Sequence, residues 1–119
     1  MAISNSLVPP APILIDRDYV GTLSSVSLFG VPADAGAVVT WYLYDSANVL
    51  LGTGLGAYVP LSTGNFQVVI PYTAFAAQAA TITTNGYARG RVHVTLSQNG
   101  AQGSWGSPVV FQYPTGVAA

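Results

Sequence analysis

Val38-Val39-Thr40-Trp41-Tyr42-Leu43-Tyr44 is the stretch that decides the fold class. It is filled with β-branched and aromatic residues, the types that fit a pleated, half-buried surface. It also alternates: one phase carries Val39, Trp41 and Leu43, the other Val38, Thr40, Tyr42 and Tyr44. Successive side chains of a strand point to opposite faces, so the run reads as a strand with Val39, Trp41 and Leu43 facing the core.

The same rule carries outward along the chain. Phe66, Val68 and Ile70 form the inward set of Asn65–Ile70, and Val92, Val94 and Leu96 that of Gly90–Leu96, leaving Arg91, His93 and Thr95 outward. Strand-like runs fall near 20–29, 37–45, 49–53, 57–61, 65–70, 88–97 and 108–113, a spacing that indicates an all-β sandwich or barrel. Asp34-Ala35-Gly36 and Asp45-Ser46-Ala47-Asn48 are turns with side-chain caps, and Asn99-Gly100 supplies positive φ in a hairpin. Tyr72 to Ala80 is alanine-rich and lacks alternation, so a short helical crossover between sheets is expected there. Residues 1–18 carry Pro9, Pro10 and Pro12 with apolar residues between them, which reads as an extended N-terminal arm. The expected organisation is arm 1–18, β-sandwich 19–114 and tail 115–119.

Composition says most about the surroundings. Among 119 residues there are three arginines, four aspartates and one histidine, with no lysine, glutamate or cysteine. A freely diffusing domain usually keeps about 25–35% of its surface as mixed charge. A surface of neutral polar and apolar side chains suits a protein covered by neighbours, and an oligomer is expected, a trimer among the forms considered. The chain is long enough to bury a core without disulfides or metals. Absence of cysteine excludes thiol catalysis, disulfides and cysteine-ligated metals. The N-terminus has no positive n-region and no long apolar run, so synthesis in a host cytoplasm is expected; no stretch of 18 uninterrupted apolar residues indicates a membrane span.

A strand with a central Trp41, a tight turn into a second short strand, then Gly64-Asn65-Phe66-Gln67-Val68-Val69-Ile70-Pro71, a crossover and the long hairpin 88–113 resemble the C, C′, E, F and G strands of an immunoglobulin-like sandwich. With the apolar arm and the scarcity of charge, the whole is similar to small virion proteins of tailed bacteriophages, capsid decoration and head or tail accessory proteins. That resemblance implies a non-enzymatic structural protein located in the virion, with the major capsid protein or another virion protein as partner. It carries no catalytic residue across. The alternative is a carbohydrate-binding or adhesive module of a fibre or surface assembly.

Catalytic chemistry finds few residues to use. His93 is the sole candidate base, and Gly103-Ser104-Trp105-Gly106 falls short of a nucleophile elbow. Asp16-Arg17-Asp18 reads as a solvated hinge in preference to a metal site, and Gly52-Thr53-Gly54-Leu55-Gly56 as a turn or bulge, since no helix or lysine follows to hold a phosphate. No cofactor or metal is expected. Three arginines against four aspartates give no basic field, so no nucleic-acid partner is expected either. What remains is recognition by surface. Arg89, Arg91 and His93 recur at every second position and form a stripe on one sheet face. Its reading as a dock for a partner's carboxylates stands beside a solvated face balanced by the protein's own aspartates. Trp105 is expected at the tip of a flexible 97–107 loop, where an aromatic ring would contact a partner or stack on a sugar. Leu7, Val8, Ile13, Leu14 and Ile15 complete the expected partner-binding set, as an arm able to add a strand to a neighbouring sheet.

Overall fold

The computed structural model describes residues 13–24, 26–28, 30–61 and 64–112. The described residues form the strands β1 (Ile13–Leu14), β2 (Tyr19–Leu23), β3 (Ser27–Leu28), β4 (Val31–Pro32), β5 (Val38–Asp45), β6 (Leu50–Leu55), β7 (Ala57–Tyr58), β8 (Phe66–Ile70), β9 (Ala88–Gln98) and β10 (Ala101–Gln112). One α-helix, α1 (Ala79–Asn85), follows two short 3₁₀ turns in the crossover from β8 to β9. The fold is all-β and sandwich-like. One sheet runs β1-β10-β9-β5-β6, a second β2-β8-β7, and β3 with β4 makes a small ribbon. Placing β5, β9 and β10 side by side in one sheet, and β2, β8 and β7 in the other, matches the C-F-G and B-E-D groupings of an immunoglobulin-like sandwich.

The inward phases of both sheets meet in one core. Val39, Trp41, Leu43, Val92, Val94 and Leu96 come from the large sheet, and Leu23, Phe66, Val68 and Ile70 from the small one. Trp41 fits because β6 is built from glycines where it passes the indole: a Cβ on Gly54 would lie 2.8 Å from the ring. The Gly52–Gly56 run is thus mostly strand, and the expected bulge falls beside it, where the β5–β6 register shifts between Leu43 and Tyr44. Gly56 is where the chain leaves the large sheet for the small one, its N–H held by the Val39 carbonyl at 2.8 Å.

The crossover is longer than its sequence suggests. Thr81, Ile82, Thr83 and Thr84 have modest helix propensity, yet α1 continues to Asn85. Burial of Ile82 holds it, the Thr83 and Thr84 hydroxyls bond the carbonyls of Ala79 and Ala80, and Gly86 at φ 84° closes the end with its N–H on the Ile82 carbonyl. Phe75, midway, is fully buried and stacks on Phe111 at 5.6 Å between centroids.

Three expectations are corrected. First, residues 13–15 belong to the body: β1 pairs in parallel with β10, Ile13 opposite Phe111 and Leu14 opposite Gln112, and Ile13 and Ile15 are buried in the protein's own core. Ile13 and Ile15 therefore present no surface to a partner, and Leu14 is partly covered. Leu7 and Val8, with the rest of residues 1–12, and the tail 115–119 lie outside the described residues. Second, 97–107 is not a loop. Asn99 and Gly100, at φ 51° and 81°, make a two-residue turn, and β10 is paired with β9 from Ala101 to Phe111. Gly103 and Gly106 are held in this ladder, opposite Leu96 and His93. Third, the run expected at 20–29 divides into β2 and β3, and that at 57–61 shortens to Ala57–Tyr58.

Candidate docking face

The outer face of the five-stranded sheet carries the expected stripe. β9 presents Arg89, Arg91 and His93 on the side opposite Val92 and Val94, and both arginines are exposed. Register then fixes their neighbours. Tyr44 lies opposite Arg91 and Tyr42 opposite His93 on β5, while Pro108 and Gly106 flank the same two residues on β10. Each arginine has an aromatic support: the Arg91 guanidinium sits 4.5 Å from the Tyr44 ring centroid and that of Arg89 5.2 Å from Tyr87. Arg91 also donates from Nη2 to Oδ1 of Asn48 at 3.1 Å, which orients its fork. The His93 ring lies at the position a side chain on Gly106 would approach, with a centroid 6.3 Å from that of Tyr42.

The aspartates are committed elsewhere. Asp34 accepts the Gly36 amide, Asp45 those of Ala47 and Val49, and Asp18 that of Tyr72. Asp16 is paired with Arg17 at 2.8 Å, and the guanidinium's hydrogen bonds hold its carboxyl below the usual carboxylate range while the same contact raises Arg17. Among the described residues this is the sole ion pair, and none of the four aspartates pairs with Arg89 or Arg91. Asp16 and Asp18 act as a local pair and a cap, and among the described residues no cluster of three or more acidic or histidine side chains could hold a metal ion.

Trp105 is not part of this face. On β10 it shares the phase of Val109 and Phe111, sits opposite Val94, and is half-buried against the core edge. The stripe and the indole are thus on opposite sides of one sheet. An open depression of about 490 Å³ lies toward the hairpin end, lined by Thr95, Leu96, Ser97, Gln102, Gly103 and Ser104. Its groups are neutral hydrogen-bonding hydroxyls and an amide, with no titratable side chain. Sequence reasoning missed Asn48 and Tyr87 as partners of the arginines. Tyr87 was legible as a residue two before Arg89; Asn48 was not, because only the β5–β9 register brings its turn to Arg91.

No protein-family model matches the chain, and a search of curated proteins finds no match.

Proposed function

We propose that this chain is a structural virion protein, a capsid decoration or head or tail accessory subunit, that docks through the outer face of its five-stranded sheet onto a carboxylate-bearing surface of a capsid or other virion protein. The observation that carries the docking half is the separation of charge: the four aspartates serve turns, a cap and one local pair, while Arg89 and Arg91, on the rings of Tyr87 and Tyr44, have no ion-pair partner among the described residues. Arginine and aromatic residues are the types enriched at interface centres. The virion half is supported by the scarcity of charge and by the likeness of the strand pattern to phage accessory proteins.

A glycan-binding module is the second reading, favoured by the hydroxyl-lined depression at Thr95, Ser97 and Ser104. It lacks the loop-tip indole that sugar stacking would use, because Trp105 stands on the other face. Mass spectrometry of purified particles, combined with binding of Arg89→Ser/Arg91→Ser to them, tests the proposal. The double variant should keep its fold and lose particle attachment. Attachment equal to the parent's overturns the docking face, and absence of the chain from particles overturns the virion assignment.

A further inference from the structure

Among the described residues, the twelve-residue strand β10 has a partner along one whole side and almost none along the other. On the outer side β1 covers only Phe111 and Gln112. The two-residue turn makes Gln98 and Ala101 a hydrogen-bonded closing pair, so odd-numbered residues of β10 bond β9 and even-numbered residues point their backbone groups to the open side. The bond from the Ile15 amide to the Gln112 carbonyl, 3.0 Å, confirms this phase. Pro108 belongs to the outward set, which is why a proline is tolerated in a long strand: its missing N–H costs nothing in the β9 ladder. The open edge therefore offers the backbone groups of Gln102, Ser104 and Gly106. It ends at the Asn99–Gly100 turn on one side and at Pro108 on the other.

We infer that this edge pairs antiparallel with the same edge of a second copy, about a two-fold axis at Ser104, joining two five-stranded sheets into one. The window is symmetric about that residue, since Gly100 and Pro108 are each four positions away. Gln102 would then face Gly106 of the mate and Ser104 its own counterpart, giving three pairs that each exchange two backbone bonds. On the core side Gly103 falls opposite Trp105 of the mate, twice over, so each half-buried indole meets a position with no side chain. No charge occurs from Asn99 to Gln112, so two copies meet without repulsion, and the usual edge guards of lysine or an inward charge are missing inside the window. A foreign strand would not need this internal symmetry. The axis is perpendicular to the sheet, so both Arg89–Arg91–His93 stripes share one side of the dimer. This goes beyond the docking proposal and does not rest on it.

The chain has no cysteine, which allows a register-specific test. Ser104→Cys places two thiols across the axis within the Cα separation a disulfide accepts, about 4.4–6.8 Å. Gln102→Cys, on the same exposed phase, places them about 14 Å apart along the strands. Under mild oxidation Ser104→Cys should form a covalent dimer at least about tenfold faster than Gln102→Cys, with thermal melting of the reduced protein unchanged. Ser104→Lys should raise the dimer dissociation constant in sedimentation by about tenfold or more through like charges at the axis. Equal cross-linking at the two positions, or a monomer at high concentration, overturns the inference. So does a chain that dimerises only after residues 1–12 are removed, because its own segment would then occupy the edge. Arg89→Ser/Arg91→Ser should leave cross-linking intact, which separates failure here from failure of particle docking.

Discussion

Trp41 owes its seat to what is missing opposite it. In the ladder Gly54 is its β6 neighbour, and the indole lies where a Cβ on Gly54 would be, while Gly52 is limited by Ala74 at 3.1 Å. Gly54→Ala should therefore force the ring or the strand aside and cost about 1–3 kcal/mol by overpacking. Trp41→Ala should cost about 3–5 kcal/mol through the cavity it leaves. Chemical denaturation of both variants checks this pair, and a Gly54→Ala protein as stable as the parent would mean that the indole has room to move. On the opposite face the expectation is reversed. Arg89→Ser/Arg91→Ser removes exposed groups whose interactions are worth at most about 1 kcal/mol each, so melting should change little while partner attachment falls.

Strand β1 shows how a short element ties into the fold through its neighbours. Two residues pair with β10, yet Ile13 and Ile15 contribute two buried side chains, and Asp18 just beyond caps the crossover at the Tyr72 amide. Deleting residues 1–18 should consequently destabilise the body by on the order of 4 kcal/mol, since each lost isoleucine exceeds about 2 kcal/mol. A truncated protein that melts at the parent temperature would show that the core closes without β1. At the far end of the crossover, Gly86→Ala places a Cβ in left-handed backbone at φ 84° and should cost about 1 kcal/mol, read as a lowered midpoint in denaturant.

At the scale of the molecule, the two proposed surfaces differ in their response to salt. Docking through the arginine stripe is electrostatic, and raising ionic strength from about 0.05 to 0.5 M shortens the Debye length severalfold. Particle attachment should weaken over that range. Pairing through the uncharged β10 edge has no such term, so the sedimentation of the free protein should stay constant or shift toward dimer. Attachment that is indifferent to salt would move the docking chemistry from the arginines to the apolar residues exposed elsewhere, such as Val20 and Val69 on the small sheet.

Much of this architecture is written in the chain itself. Strict alternation in 38–44, 66–70 and 90–96 determined which side chains enter the core, because a one-residue slip in any of these strands would expose its whole apolar set. The same periodicity put Arg89, Arg91 and His93 on one outer face. Asn99-Gly100 determined a hairpin, since both residues accept positive φ. What tertiary structure decided is everything that depends on a distant partner. Gly103 and Gly106 look flexible in isolation and become rigid only because β9 is long enough to pair with them. Ile13 and Ile15, separated from the body by turn residues and preceded by prolines, read as an arm until Phe111 and Gln112 are placed beside them. Local sequence encodes the period and the turns. Which strand lies beside which is set by the burial of apolar area across the whole sandwich, a sum that no single stretch of this chain contains.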